Sequence, residues 1–154
     1  MLSHEEQCEI EAELARYPTR QAASVDAMKI VQRHRGWVSD ESLKDLALML
    51  DMTADELDGV ATFYNMIFRH PVGRHVILVC NSVTCWMLGA SRLHERTAIA
   101  SGARSGDTSA DGRFTLLPIV CLGACDHAPA LMIGGDLHGD VDADRVDQML
   151  SRYP

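Results

Sequence analysis

The sequence predicts an α/β protein in two parts: a small bundle of helices over residues 1–72, then an α/β domain over residues 73–154. Three observations carry this. Apolar residues recur at helical spacing behind helix-capping residues up to about residue 70, and scarcely afterwards. Two strand-length aliphatic runs, His75-Val-Ile-Leu-Val-Cys80 and Phe114-Thr-Leu-Leu-Pro-Ile-Val-Cys121, appear only beyond that point. Each run ends on a cysteine, and another cysteine follows shortly after it.

The first part reads as four helices. Ser3 with Glu6 fits a capping box, and Ile10, Leu14 and Tyr17 follow at helical spacing until Pro18 stops the run. A second helix starts near Ser24, carries Val25, Met28 and Val31 on one face, and ends at Gly36, a residue suited to the left-handed turn after a helix. Ser39 caps a third, with Asp40 and Glu41 in its first turn and Leu43, Leu46, Ala47 and Leu50 as its apolar stripe. Thr53 and Glu56 form another capping box, ahead of Leu57, Val60, Ala61 and Tyr64. Phe63 and Tyr64 are expected to pack on this helix's apolar face. Short connections between four short helices predict a bundle.

After Pro71-Val-Gly73 the pattern changes. Residues 75–80 read as a buried strand, 86–100 as a weak helix, 101–113 as a polar Gly- and Ser-rich loop, and 114–120 as a second strand. Ala130–Ile133 and Asp136–His138 flank Gly134-Gly135, the signature of a two-residue hairpin turn. Residues 142–152 close the chain with a helix bearing Val146, Met149 and Leu150. Strand, helix, strand, hairpin, helix is the order of an α/β sandwich, whose simplest compact form is the thioredoxin-like fold.

Composition narrows the function. The 154 residues are 47% hydrophobic and carry a net charge of −8, so the chain can bury a core but lacks the basic surface that nucleic acid demands. Anionic lipid is an equally poor partner. The opening residues MLSHEEQCEIEAELARYPTR are acidic and lack the apolar stretch of a signal peptide. The aliphatic runs fall far short of the ~20 residues a spanning helix needs. The expectation is a soluble cytoplasmic chain that reaches any membrane only through a partner. No Gly-rich phosphate loop follows a strand, and no Ser-His-Asp set or carboxylate pair stands out, so a nucleotide site and a hydrolytic site are not expected.

The five cysteines stand at 8, 80, 85, 121 and 125. An odd count in a cytosolic chain argues against a disulfide framework. Cys80 and Cys85 form C-x4-C after the first strand; Cys121 and Cys125 form C-x3-C after the second. If the two strands are parallel neighbours, both pairs emerge at one edge of the sheet. Three readings compete: a 2Fe–2S cluster with two thiolates per iron, a structural zinc, and four unrelated buried thiols. Neither pair has the tight C-x2-C spacing common in zinc knuckles and required of a thioredoxin dithiol. Gly123 and Ala124 are small enough to bring backbone N–H groups close to the sulfide of a cluster, and Asn81, Ser82 and Thr84 offer polar donors. Four thiolates around two ferric ions and two sulfides would carry about −2, which points to a low reduction potential.

The pattern C-x4-C, 35 residues, then C-x3-C enclosing Leu-Gly-Ala resembles the thioredoxin-like 2Fe–2S subunit of NADH-quinone oxidoreductase, respiratory complex I. In bacteria this is the E subunit. The resemblance extends through Lys29-Ile-Val-Gln32, Arg35-Gly-Trp-Val38, Gly59-Val-Ala-Thr-Phe-Tyr64, Pro71-Val-Gly-Arg-His75 and Asp111-Gly-Arg-Phe-Thr-Leu-Leu-Pro118, and through Pro129 after the last cysteine. It implies a helical N-terminal domain and a thioredoxin-like domain holding one 2Fe–2S cluster on Cys80, Cys85, Cys121 and Cys125. It implies a partner flavoprotein carrying FMN, the NADH site and a 4Fe–4S cluster, in the peripheral arm on the cytoplasmic side of a bacterial inner membrane. The implied function is one-electron exchange between the cluster and that flavin, with no NADH turnover by the isolated chain. The equivalent subunits of NAD-linked formate dehydrogenases and NAD-reducing hydrogenases are the alternative. One departure is Val120, where many relatives have Glu.

Outside the pairs, Cys8 is expected to be a free thiol. His75, His94 and His138 are scattered, and His127, near Cys125, is expected at the surface. Trp86 and Met87 are expected either to pack in the core or to cover the cluster and face the partner.

Overall fold

The computed structural model describes residues 1–154, which divide into two compact units, Met1–Pro71 and Val72–Pro154. The first is all helical: α1 (His4–Leu14), α2 (Ser24–Arg35), α3 (Asp40–Met49) and α4 (Ala54–Phe63). The caps anticipated from sequence form. The Ser3 hydroxyl accepts from the Glu6 N–H at 3.2 Å while the Glu6 carboxylate accepts from the Ser3 N–H at 2.6 Å. Thr53 and Glu56 repeat the arrangement on α4. Ser39 caps α3 through the Ser42 N–H, and Gly36 ends α2 at φ +83°. Ile10, Met28, Val31, Leu46, Leu50 and Leu57 meet in the core.

One charged side chain joins that core, along with the buried Ser24 and Ser42. Glu6 is 2% exposed, yet it takes a forked pair of hydrogen bonds from Arg35, Nε to Oε1 at 2.5 Å and Nη2 to Oε2 at 2.6 Å. Arg35 also donates to Ser42 Oγ at 3.0 Å, tying α1, α2 and α3 together. The segment after α4 is fastened by Gln32, whose amide donates to Met66 O at 2.9 Å and accepts from the Phe68 N–H at 2.6 Å. Arg69 adds ion pairs to Asp40 and Asp58, both at 2.7 Å.

Phe63 and Tyr64 do not pack as expected. Phe63 is 80% exposed, and the two rings meet edge to face at 5.3 Å. The reason is angular: the buried stripe of α4 is Leu57 and Ala61, and two further residues rotate Phe63 to the opposite side. Tyr64 has already left the helix in an extended conformation.

The second unit holds β1 (His75–Cys80), α5 (Val83–Met87), α6 (Ala90–Ser101), β2 (Phe114–Ile119), β3 (Leu131–Ile133), β4 (Asp136–His138) and α7 (Val146–Leu150). The sheet order is β2-β1-β3-β4. β1 and β2 run parallel, His75 opposite Phe114 and Cys80 opposite Ile119; β3 and β4 are antiparallel. Alternation sets the two faces. Ile77, Val79, Leu116, Leu131 and Ile133 pack with Leu93 of α6 and Val146 and Leu150 of α7. Leu78 and Cys80 point the other way, to a cluster with Cys85, Ala90, Ile119 and Ala130. Gly134 and Gly135 both have positive φ, +56° and +103°, the requirement of the tight hairpin turn.

Three expectations change in detail. The helix expected over 86–100 is two helices, starting earlier and broken at Gly89, whose φ of +100° no continuous helix accommodates. Cys85 therefore lies inside α5 and not in a loop. The 101–113 segment is ordered against the free edge of β2, with the Gly106 N–H on Leu116 O at 2.7 Å and the Ser109 N–H on Phe114 O at 2.7 Å. The final helix is shorter than its periodicity suggests, α7 following a 3-10 turn over Ala143–Arg145.

The Glu6–Arg35 pair makes the helical unit acid-labile. Arg35 and the Ser3 N–H outweigh burial and hold the Glu6 carboxyl at about 2, against an ordinary 4.5. A folded-state pKa below the unfolded one contributes stability above pH ~4.5 that is lost as pH falls toward about 2. The contribution is about 3 kcal/mol at neutral pH, with about 2 kcal/mol gone by pH 3. Glu6→Gln should lower stability at pH 7 by about 2–3 kcal/mol and flatten the decline between pH 4.5 and 3. Urea unfolding of both chains at the two pH values measures this.

Candidate metal centre

The four paired cysteines converge because β1 and β2 end together. Cys80 is the last residue of β1 and sits opposite Ile119, so Cys121 leaves β2 just beyond the same edge. The Asn81 N–H on Ile119 O at 3.0 Å and the Cys80 N–H on Ala130 O at 3.1 Å hold the edge closed. α5 then turns back, and its one buried residue is Cys85. Cys121 and Cys125 lie on the segment between β2 and β3, whose only regular element is a 3-10 turn at Cys125–His127. Cys80 and Cys85 are buried; Cys121 and Cys125 are exposed.

Backbone N–H groups face the sulfurs. The Gly123 N–H donates to Cys121 Sγ at 3.3 Å, with Gly123 at φ +74°. Burial raises the Cys80 pKa, but the N–H groups of Ser82 and Leu122, with the neighbouring Cys85 and Cys121 thiols, outweigh it and bring the pKa below the ordinary value. Cys85 moves the opposite way. Burial and the adjacent Cys80 raise it, and the Ala130 N–H offsets only part of that. Cys80 is therefore the first of the inner pair to ionise. Leu122 and Ala130 carry no sequence signal, because a backbone donor is set by chain path and any residue can supply it.

No three His, Cys, Asp or Glu in the chain surround one position for a single metal ion. A binuclear iron–sulfur centre does not ask this, since it takes two thiolates per iron. Four thiols in two pairs at one edge, supplied with backbone N–H donors, fit such a centre by donor chemistry. Thiolate bound to iron retains negative charge, and fixed N–H dipoles compensate it.

The surroundings sort the remaining candidates. Trp86 and Met87 are 65% and 72% exposed, so neither is a core residue; Trp86 borders a cavity of about 340 Å³ that reaches Cys80. Val120 is exposed beside Cys121. His127 is exposed, its Nδ1 2.7 Å from Asp140 Oδ2, and Asp140 with Asp126 raises its pKa. Cys8 lies on α1, its sulfur 3.7 Å from His4 Nε2. His75 meets Tyr153 edge to face at 5.5 Å, and His138 Nε2 is 2.8 Å from the Tyr153 hydroxyl.

Comparison with known proteins agrees with this geometry. Residues 10–154 match the family model of the thioredoxin-like [2Fe-2S] ferredoxins. The chain is 48% identical over 153 residues to the E subunit of NADH-quinone oxidoreductase from Pseudomonas aeruginosa, covering 99% of this chain and 92% of that protein. It is 44% identical over 152 residues to the E subunit of the same enzyme from Escherichia coli K12, with the same coverages. Among solved structures it is similar to the air-oxidised NAD+-reducing [NiFe]-hydrogenase, with a TM-score of 0.71 and 24% identity. That match covers 85% of this chain and spans only 22% of the hydrogenase chain, and it speaks to the fold alone.

Close packing behind the second cysteine pair yields a prediction. A Cβ on Gly139 would stand 2.4 Å from His127 Cβ and 3.0 Å from His127 O, so the 125–129 turn has no room for it. Gly139→Ala should cost about 1–3 kcal/mol of stability, as overpacking does. Chemical denaturation measures the loss, and faster alkylation of Cys125 would locate it.

Proposed function

Because this chain belongs to the thioredoxin-like [2Fe-2S] ferredoxin family, we propose that it is the electron-transferring E subunit of an NADH-quinone oxidoreductase, with a single 2Fe–2S cluster on Cys80, Cys85, Cys121 and Cys125. The observation that carries this is the convergence of both cysteine pairs at one sheet edge in a chain 44–48% identical, over nearly its whole length, to proteins of that name. The same identity favours the respiratory enzyme over a hydrogenase or formate dehydrogenase, since the hydrogenase likeness is one of fold.

When bound, the cluster supplies a site that accepts and returns one electron at a time. The protein's part is to hold and tune that site. The four thiolates fix it between β1, α5 and the 121–125 segment. The N–H groups of Ser82, Leu122, Gly123 and Ala130 offset negative charge on the sulfurs. Burial of Cys80 and Cys85 keeps water from the inner side, while the exposed outer pair brings the site to the surface where a partner can approach. Hydride chemistry needs a two-electron cofactor, and we assign that to a partner flavoprotein carrying FMN and the NADH site. The helical unit, residues 1–72, and the cluster domain, residues 73–154, then work as one peripheral subunit on the cytoplasmic face. No helix is long and apolar enough to cross a membrane.

Two measurements test this reading. Cys→Ala at 80, 85, 121 or 125 should abolish the rhombic EPR signal of the reduced, reconstituted chain, and Cys8→Ala should leave it unchanged. Survival of the signal in Cys121→Ala would sink the ligand assignment. Second, the flavin-free chain should not reduce ferricyanide with NADH, and activity should return with the flavoprotein; turnover by the pure chain contradicts the division of labour.

A further inference from the structure

The four thiols differ in access. Cys80 and Cys85 are 3% and 2% exposed, and each is seated in regular structure: Cys80 ends β1, and Cys85 lies in α5 packed among Leu78, Ala90, Ile119 and Ala130. Cys121 and Cys125 stand in solvent on the segment between β2 and β3. Gly123 between them has a left-handed backbone, and a Cβ built on it would meet nothing within 4 Å, so this side of the segment is open to an approaching group. The segment meets the inner pair through Val120 O, 4.0 Å from Cys80 Sγ, and through Leu122 and Ala124, which pack against the cluster of Cys80 and Cys85.

We propose that Cys121 and Cys125 are the receiving thiols through which a preformed 2Fe–2S cluster enters this chain, and that Cys80 and Cys85 bind it second. The proposal rests on the assignment of all four as ligands. The donor is a cluster already carried by four thiolates, on a small thiol or a scaffold protein. In each exchange an iron–sulfur bond to the donor breaks and one to a chain cysteine forms; the cysteine's proton passes to the departing thiolate. Four exchanges release four donor thiols, and neither iron nor sulfide changes oxidation state. An incoming sulfur must reach iron beside the thiolate it displaces. The exposed outer sulfurs can do so while the donor's ligands are still attached, and the buried inner ones cannot.

The test uses the full chain with Cys8→Ala, so that no other exposed thiol competes, and a glutathione-bound 2Fe–2S cluster as donor. Stopped-flow circular dichroism follows uptake, and native mass spectrometry detects chain, cluster and two retained glutathiones together. The double variant C80A/C85A should form that mixed species at close to the first-phase rate of the parent. C121A/C125A should capture the donor slower by on the order of ten-fold or more. Equal or faster capture by C121A/C125A would overturn the order. Parent chain that takes up no cluster, or a variant lacking all four cysteines that takes it up normally, would overturn the ligand assignment and the order with it. Iodoacetamide labelling of the cluster-free parent chain avoids any folding defect in the variants. Cys121 and Cys125 should be consumed first, and blocking them alone should stop uptake; prior labelling of Cys80 and Cys85 contradicts the proposal.

Discussion

The parallel pairing of β1 with β2 is the constraint on which the site depends. Each strand delivers one cysteine pair from its carboxyl end, and six residues of strand span about 20 Å. Antiparallel strands would hold the pairs at opposite edges, too far apart for any shared centre. Parallel pairing requires a crossover, and α5, α6 and the 101–113 segment supply it. The start of the register is set just before β1. A Cβ at Gly73 would lie 2.9 Å from the Phe114 carbonyl carbon, and the Gly73 N–H donates to Thr115 Oγ1 at 2.6 Å. Glycine lets the two backbones close there, with Arg74 N–H on Gly112 O and His75 N–H on Arg113 O. Strands aligned at that end finish level at the other, and the cysteines follow.

Once the thiols are gathered, their chemistry is decided by backbone and burial more than by neighbouring side chains. No lysine or arginine is placed against the sulfurs to balance their charge; N–H groups of Ser82, Leu122, Gly123 and Ala130 do so, and these survive substitution of the side chains that carry them. Burial raises both Cys80 and Cys85; N–H donors together with the Cys85 and Cys121 thiols bring Cys80 below the ordinary value, while the adjacent Cys80 leaves Cys85 above it. The outer pair is open to water on a segment without regular structure except the 3-10 turn at Cys125–His127. One site thus has a dry side and a wet side.

The helical unit obeys a different rule. Its core is apolar apart from Ser24, Ser42 and Glu6, the last a carboxylate held charged by Arg35 and the Ser3 N–H. A buried charge is tolerated when its partners are fixed, and the same capping box that starts α1 fixes this one. The exposed Phe63–Tyr64 pair contributes nothing to this core, so its aromatic surface stands free on the unit.

Much of this was legible in the residues. Capping boxes at Ser3 and Thr53, the strand run before Cys80, the Gly134-Gly135 turn and the spacing of four cysteines are local features, because helix caps, alternation and tight turns depend on residues within a few positions of one another. Local periodicity also misled where tertiary angle mattered. Phe63 belongs to an apolar run yet faces solvent, and Cys85 reads as a loop residue yet is buried in a helix that ends short of Gly89. Sequence by itself determined the succession of helices and strands, short of the break at Gly89 that splits one expected helix into α5 and α6, and which cysteines are paired along the chain. Only the tertiary structure decided that the pairs meet, that one is buried and the other open, and that Leu122 and Ala130 supply N–H groups to the inner sulfurs. Those facts depend on contacts between segments some 40 residues apart, Cys80 with Ile119 and Cys85 with Ala130, which no local pattern encodes.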